Sequence, residues 1–271
     1  MVTTPRLPPD EEPLNPATVD LLFMNMGTDM ILVGGQALAF WMNRYAIKSI
    51  GAAISNDGDV LGEIARARDL ANAMRASLLI PPQRAMTSLV GQLRIPVGNG
   101  KQRNIDVLHK LFTTSGLKKS TAFTNQVIEN SVKIEWKHGH YIQVMDPFDV
   151  LDSRVQNAVG LIDDKGPHVL TQVAWAIEVV REVIQKIASQ AQEGDRLGRQ
   201  LQRVFKLAKS SVGKRLLKEH DIEILDAIDL PLLRRLSDQH SRQLDKVEEL
   251  IASRLALPAP DVDEPSGYRD R

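Results

Sequence analysis

Three aspartates in the first half of the chain have the spacing of a site that binds divalent cations. Asp57 and Asp59 stand two residues apart, and Asp106 lies between apolar residues in the run 104–108. Residues at i and i+2 of a strand point to one face, and a carboxylate at the end of a neighbouring strand would meet them there. Magnesium prefers carboxylate oxygens, and crowded carboxylates are favourable only with cations or a shared proton. The spacing therefore predicts metal-dependent phosphoryl or nucleotidyl transfer, with Asp57, Asp59 and Asp106 as catalytic metal ligands.

A pair of glycines, Gly34-Gly35, follows the apolar run 31–33 and precedes a helix-forming segment. This pattern predicts a strand, a tight turn and a helix N-terminus, where backbone N–H groups can hold phosphate. We therefore assign Gly34, Gly35 and Gln36 to the phosphates of a nucleoside triphosphate. Arg44 and Lys48 could also reach triphosphate oxygens, although solvated surface charge is the simpler interpretation of each.

Each motif also has an ordinary structural interpretation. Asp57-Gly58 could be a hairpin turn or part of a calcium loop, but the spaced ligands and closing glutamate of an EF-hand are missing. Asp106 is harder to explain in this way, because a carboxylate on a buried strand face needs a partner or a metal. His109 is a minor candidate for the same site. His138 and His140 have no further histidine or cysteine nearby, which argues against zinc.

Composition narrows the class of protein. The chain has 271 residues, of which 43% are hydrophobic and 25% charged, the balance of a globular protein. Lys plus Arg and Asp plus Glu number 34 each, so any site for a polyanion must be local. Cysteine is absent, which excludes disulfides and thiolate ligands. With no apolar run of membrane-span length and no signal sequence, we expect a cytoplasmic protein without a membrane partner.

Periodicity predicts an α+β fold, in which a mixed β-sheet with flanking helices is followed by an all-helical C-terminal region. We predict a flexible arm at 1–15, an α/β domain at 16–146, a helical domain at 147–257 and a flexible tail at 258–271. The predicted strands are 30–34, 58–62, 78–80, 89–97, 104–108, 131–136 and 141–145, and the predicted helices are 16–26, 36–45, 63–76, 147–161, 168–192, 195–210, 214–227 and 231–255.

The motifs Gly34-Gly35, Asp57-Gly58-Asp59 and Asp106 resemble those of the DNA polymerase beta-like nucleotidyltransferase superfamily. The likeness is greatest to small bacterial members related to AbiEii-type toxins and minimal nucleotidyltransferases, and it spans about residues 28–190, including the segment 144–154. It implies a nucleotidyltransferase-type sheet and transfer of NMP from an NTP such as ATP to a hydroxyl of RNA, protein or a small molecule. It also implies Mg²⁺ or Mn²⁺ as cofactor and a toxin–antitoxin or phage-defence role with a cognate partner protein.

Three departures from that family pattern leave two other functions open. Gln36 stands where a serine or threonine is usual, Gly58 stands where an apolar residue is usual, and the long interval between Gly35 and Asp57 indicates an insertion around 48–55. One alternative is a catalytically degenerate nucleotidyltransferase fold that binds a nucleotide or a partner as a regulator. The other is a helical interaction protein whose α/β half is only a scaffold.

A basic segment lies between Asp195 and His220, where eight Lys or Arg residues face only two acidic ones. Four of the basic residues are spaced three, four and three apart and line one face of a helix: Arg196, Arg199, Arg203 and Lys206. Such a face could contact the backbone of an RNA acceptor by counterion release. A merely solvated basic face is the alternative.

Overall fold

A computed structural model describes residues 10–49, 56–114, 116–190, 194–236 and 241–255. The part of the chain up to residue 144 alternates helices and strands, which confirms the α+β class. Its elements are α1 (Pro16–Asn25), β1 (Ile31–Val33), α2 (Gly34–Arg44), β2 (Gly58–Leu61), α3 (Ile64–Ala73), β3 (Ser77–Leu79), β4 (Leu89–Gly98), β5 (Lys101–Leu108), α4 (Leu117–Asn130), β6 (Val132–Lys137) and β7 (His140–Val144).

These strands form one mixed sheet in the order β3-β4-β5-β2-β1-β7-β6. β2 runs parallel to β5 and β1 runs parallel to β7, whereas the other neighbouring strands are antiparallel. The turn residues at 98–100 and 137–140 of the sequence predict two hairpins, and both are present, with Asn99 and Gly100 at positive φ in the first and His138 and Gly139 in the second. The crossover that brings β5 beside β2 creates the neighbourhood in which the candidate site lies.

After β7 the described residues form helices. They are α5 (Pro147–Gly160), α6 (Ile162–Lys165), α7 (His168–Ala188), α8 (Gly194–Lys209), α9 (Ser211–His220), a 3₁₀ turn at Ile224–Ala227, α10 (Leu230–Leu236) and α11 (Ser241–Leu255). Asp146 caps α5 by accepting a hydrogen bond from Phe148 N, as its position before Pro147 suggested. The long helix α7 packs against α2, α5 and α8 through its predicted apolar stripe, which includes Val173, Val180 and Ile184. In the described parts of the chain, no helix is both long and apolar enough to cross a membrane.

Helix α4 was not predicted, because its buried face is half polar. Ser120, Phe123, Thr124 and Val127 form this face at helical spacing. The two hydroxyls are satisfied locally: Thr124 Oγ1 donates to Ser120 O at 2.8 Å, and Ser120 Oγ donates to Gly116 O at 2.9 Å. Serine and threonine weaken a helix prediction, because their side chains compete for backbone groups. Here the tertiary structure provides the burial that the local pattern does not indicate.

The predicted helix at 214–227 was wrong in its extent. α9 ends at His220, where Asp221 adopts a left-handed conformation as the C-cap, and the chain resumes only as a short 3₁₀ turn. The segment predicted as one helix at 231–255 contains α10 and α11, whose described residues stop at 236 and resume at 241. Most of the predicted insertion around 48–55 lies outside the described residues.

Candidate functional site

The two glycines bring the backbone of α2 against a carboxylate of β2. β1 ends at Val33 and α2 begins at Gly34, whose φ is +65°. A Cβ at Gly34 would overlap the Asp59 carboxylate. No side chain caps this N-terminus of α2. Only glycine allows the approach, and the first N–H groups of α2 therefore lie beside Asp59.

Asp59 and Asp106 are directly opposite each other on neighbouring parallel strands. Asp59 of β2 is the register partner of Asp106 on β5, and also of Val33 on β1. Adjacent strands are roughly 4.8 Å apart, so the two carboxylates share one face of the sheet at close range. Asp57 precedes β2 by one residue. Each of the three side chains is only partly exposed to solvent.

The electrostatics of the three aspartates reflect this crowding. Burial and the neighbouring carboxylates of Asp57 and Asp106 raise the pKa of Asp59 to about 7. Burial also raises the pKa of Asp57 and that of Asp106, the latter with a contribution from Asp57. A group whose pKa is raised by burial and by like charge is a candidate for a functional site.

Gln92 orients the carboxylate of Asp106. It lies on β4 opposite Asp106, and its Nε2 donates to Asp106 Oδ1 at 3.0 Å. Within the described part of the chain, no lysine or arginine forms an ion pair with Asp59 or Asp106. As the side chains of the described residues stand, no three His, Asp or Glu residues form a ready metal cluster.

Cationic side chains from the helical part of the chain act on the same carboxylates. Arg154 of α5 is buried and interacts electrostatically with Asp59, while Lys165 of α6 acts on Asp57 and Asp59. Burial, Lys165 and Arg154 together lower the pKa of His168, which begins α7. The neighbourhood therefore combines carboxylates with cations from α5 and α6, and places the imidazole of His168 beside those cations.

Arg154 is held in place by two neighbours. Its guanidinium donates to Gln172 Oε1 at 3.0 Å and to Ser153 Oγ at 3.2 Å, whereas its buried Nε has no partner among the described residues. Sequence reasoning missed this residue. The sequence did contain a signal: Arg154 follows the apolar residues Val150 and Leu151 by four and three positions. This spacing places the Arg154 side chain on the buried face of α5.

Gln36, the third residue assigned to phosphate, is buried. Its side chain lines a cleft of about 840 Å³ between α1, α2 and β6, together with Phe40 and Trp136. Arg44 also lines that cleft, and Lys48 is exposed. His109 is exposed just beyond β5.

The basic face of α8 is divided between two environments. Arg196, Arg199 and Lys206 are exposed, but Arg203 turns inward and forms ion pairs with Asp146 at 2.8 Å and with the fully buried Asp149 at 2.6 Å. The predicted apolar side of this helix, including Leu197, Leu201 and Val204, is buried. Arg203 therefore connects α8 to the start of α5, a contact that the spacing of the basic residues did not indicate.

Comparisons with known proteins supply no family for this chain: no family model matches it, and a search of curated proteins finds no significant relative.

Proposed function

We propose that the protein is a magnesium-dependent nucleotidyltransferase of the DNA polymerase beta-like type, which transfers NMP from an NTP to a hydroxyl of RNA, protein or a small molecule. The observation that carries the proposal is the pairing of Asp59 with Asp106 on parallel strands, with the Gly34 backbone against Asp59. This arrangement supports a site in which carboxylates and helix N–H groups lie on either side of a phosphate.

The donor set fits a hard divalent cation, because its oxygens belong to carboxylates whose mutual repulsion a dication would relieve. Asp57 and Asp59 would hold two Mg²⁺ or Mn²⁺ ions, and Asp106 would hold the ion on the side of the attacking hydroxyl. When bound, these ions supply charge stabilisation for the triphosphate and make the hydroxyl more acidic.

The residues opposite the carboxylates suit the rest of the triphosphate. Arg154, Lys165 and His168 approach from the helical side, and the unpartnered Nε of Arg154 supports an anionic ligand there. The N–H groups at Gly34 and Gly35 would bind phosphate oxygens. Together these groups would orient the reacting phosphate and exclude water from it.

Asp106 would accept the proton of the attacking hydroxyl. Gln92 holds its Oδ1, and its Oδ2 takes no hydrogen bond from the described residues. Burial raises its pKa, which makes this carboxylate a better proton acceptor. Arg196, Arg199 and Lys206 would contact the backbone of an RNA acceptor, and the same chemistry would suit the toxin member of a toxin–antitoxin or phage-defence pair.

Label transfer tests the proposal. The protein is incubated with Mg²⁺, each α-labelled triphosphate and total cellular RNA and protein. We expect wild type to label one class of acceptor and Asp57→Ala to lose at least about 100-fold of that activity, as removal of an essential charged group does. Asp69→Ala, which removes an exposed aspartate of α3, is the control and should retain activity.

A second function, nucleotide binding without turnover by a regulatory protein, is favoured by the buried Gln36 at the position where a phosphate-binding hydroxyl is usual. Binding of a triphosphate by the wild type, without transfer to any acceptor mixture, would select this function and reject the first.

A further inference from the structure

Residues 10–14, which we call the strap, pair with the free edge of β5 beside the carboxylates. β2 begins opposite Ile105, so the first residues of β5 extend past it. The strap occupies this position: Gln102 N donates to Asp10 O at 2.9 Å and Glu12 N donates to Gln102 O at 2.8 Å, with Glu11 bridged in parallel to Gln102. The strap therefore pairs with the part of β5 that precedes the first residue of β2.

The strap also accounts for the unusual Gly58. Leu14 N donates to Asn56 O at 2.9 Å, and a Cβ at Gly58 would stand 3.2 Å from Leu14 Cδ1 and 3.3 Å from Ile105 Cγ1. A side chain at position 58 would therefore be in tight contact with Leu14, Ile105 and Leu22. The strap and the residue between the two aspartates are thus packed together.

Adjacent glutamates of the strap have different partners. Glu12 pairs with Arg103 at 3.2 Å and with Lys101 at 3.6 Å. Glu11 instead accepts a hydrogen bond from Asn104 Nδ2 at 2.7 Å and forms no ion pair with any described residue. Because Asn104 and Asp106 are two residues apart on β5, their side chains share a face, and Glu11 lies on the face of the carboxylates.

Glu11 lies within the electrostatic reach of the site. Burial and the carboxylates of Asp57, Asp10 and Asp106 raise its pKa. The shift reports the same proximity that the contact with Asn104 gives geometrically.

Asn104 carries the observation that indicates a ligand. The residue is only 6% exposed, and its buried Oδ1 has no hydrogen-bond partner among the described residues. An unsatisfied buried carbonyl oxygen is unfavourable unless a ligand satisfies it. The carboxylates on this face are those of Glu11 and Asp106, and two donors of β4 are already engaged there: Gln92 Nε2 donates to Asp106, and Arg94 Nε donates to Gln92 Oε1. The two carboxylates and the unsatisfied carbonyl oxygen are the hard oxygen ligands that a divalent cation prefers.

We propose that Glu11 and Asn104 Oδ1, with Asp106, form a further binding position for a divalent cation, to which the strap contributes the Glu11 carboxylate. Glu11 is then part of the candidate site, whereas Glu12 pairs with Arg103 and Lys101 outside it. A role for this cation in nucleotidyl transfer rests on the proposed function, whereas binding of the cation does not.

This inference is tested by titrating the full chain with Mn²⁺ alone. The electron paramagnetic resonance signal of free Mn²⁺ measures how much of the ion is bound. We expect Glu11→Gln to weaken Mn²⁺ binding about tenfold or more, since loss of a ligand or of its support typically does so. Glu12→Gln removes the same charge one residue away and should leave Mn²⁺ affinity unchanged. Circular dichroism melting confirms that both variants fold.

Equal Mn²⁺ affinity in Glu11→Gln, Glu12→Gln and wild type would overturn the inference, whatever the result of the label-transfer assay. Conversely, weaker Mn²⁺ binding by Glu11→Gln in a protein that transfers no label would retain the cation site and reject only the enzymatic proposal. Asn104→Leu, which removes the unpartnered oxygen, should weaken Mn²⁺ binding in the same direction as Glu11→Gln.

Discussion

At the scale of single residues, Asp59 lies in the candidate site, and its ionisation there destabilises the folded state. Its pKa of about 7 lies above the ordinary aspartate value of 3.8 because burial and two neighbouring carboxylates disfavour its charge. Between these two pH values the folded state binds more protons than the unfolded state. The free energy of unfolding therefore falls as pH rises from about 4 to about 7.

Asp59→Asn should remove this pH-dependent loss. In buffer with EDTA, we expect the variant to match wild type near pH 4 and to exceed its free energy of unfolding by about 1–3 kcal/mol at pH 8, because the amide cannot ionise. Urea denaturation at several pH values measures the difference. Asp69→Asn is the control at an exposed site, and a variant that gains no stability between pH 5 and pH 8 would contradict the electrostatic account.

Gly34 provides a second test at this scale. Gly34→Ala should lower the free energy of unfolding by about 2–4 kcal/mol, since it adds a collision with Asp59 to the strain of a positive φ. Gly139→Ala has a similar φ of +79° but no heavy atom within 4 Å of the added Cβ, and should lose only about 1–2 kcal/mol. Equal losses in the two variants would show that the backbone does not approach Asp59 closely.

At the scale of elements, the packing of α8 against α5 depends on the buried carboxylate of Asp149. Asp149 is fully buried and accepts hydrogen bonds from Gln126 Nε2, Asn130 Nδ2 and Arg203 Nη2, which join α4, α5 and α8. A buried charge of this kind is tolerated only while its partners remain.

Two substitutions on α8 distinguish a structural role from a binding role: Arg203→Ala and Arg199→Ala. We expect Arg203→Ala to lower the free energy of unfolding by about 2–4 kcal/mol, because Asp149 then lacks its cation. Arg199→Ala, at an exposed position, should change it by less than about 0.5 kcal/mol while weakening any RNA binding. Denaturation and RNA titration measure the two effects. Equal stability of the two variants would show that Arg203 does not hold α8 against α5.

At the scale of the whole molecule, equal numbers of acidic and basic residues hide a local separation of charge. The sheet and the strap supply Glu11, Asp57, Asp59 and Asp106, whereas α5 and α6 supply Arg154 and Lys165. A net charge of zero therefore does not exclude a strongly polar site, because a site depends on local charge.

Most elements were predictable from the sequence, because helix and strand periodicities are local properties. The turn residues between strands also located both hairpins. Periodicity failed at α4, whose buried face contains Ser120 and Thr124, and at Asp221, whose left-handed cap ends α9. In α4 the hydroxyls bond to the backbone of their own helix, and at Asp221 the backbone itself turns, and residue spacing indicates neither.

The candidate site was predictable only in part. The motifs identified the aspartates, since a carboxylate between apolar strand residues is conspicuous in any sequence. Glu11 was assigned to a flexible arm, because prolines and consecutive acids indicate a loose segment, and its contact with Asn104 spans 93 residues of chain. Arg203 was grouped with the exposed basic residues, because helical spacing does not show that Asp149 lies beside it.

The sequence by itself determined which residues carry charge, where most helices and strands form, and that Asp57 and Asp59 stand two residues apart at the start of a strand, because each depends on neighbours a few residues away. Only the tertiary structure decided that β5 lies beside β2, that the strap fills the free edge of β5 and that Arg154 opposes Asp59. These depend on strand order and helix packing, which arise from burial of apolar surface across distant parts of the chain.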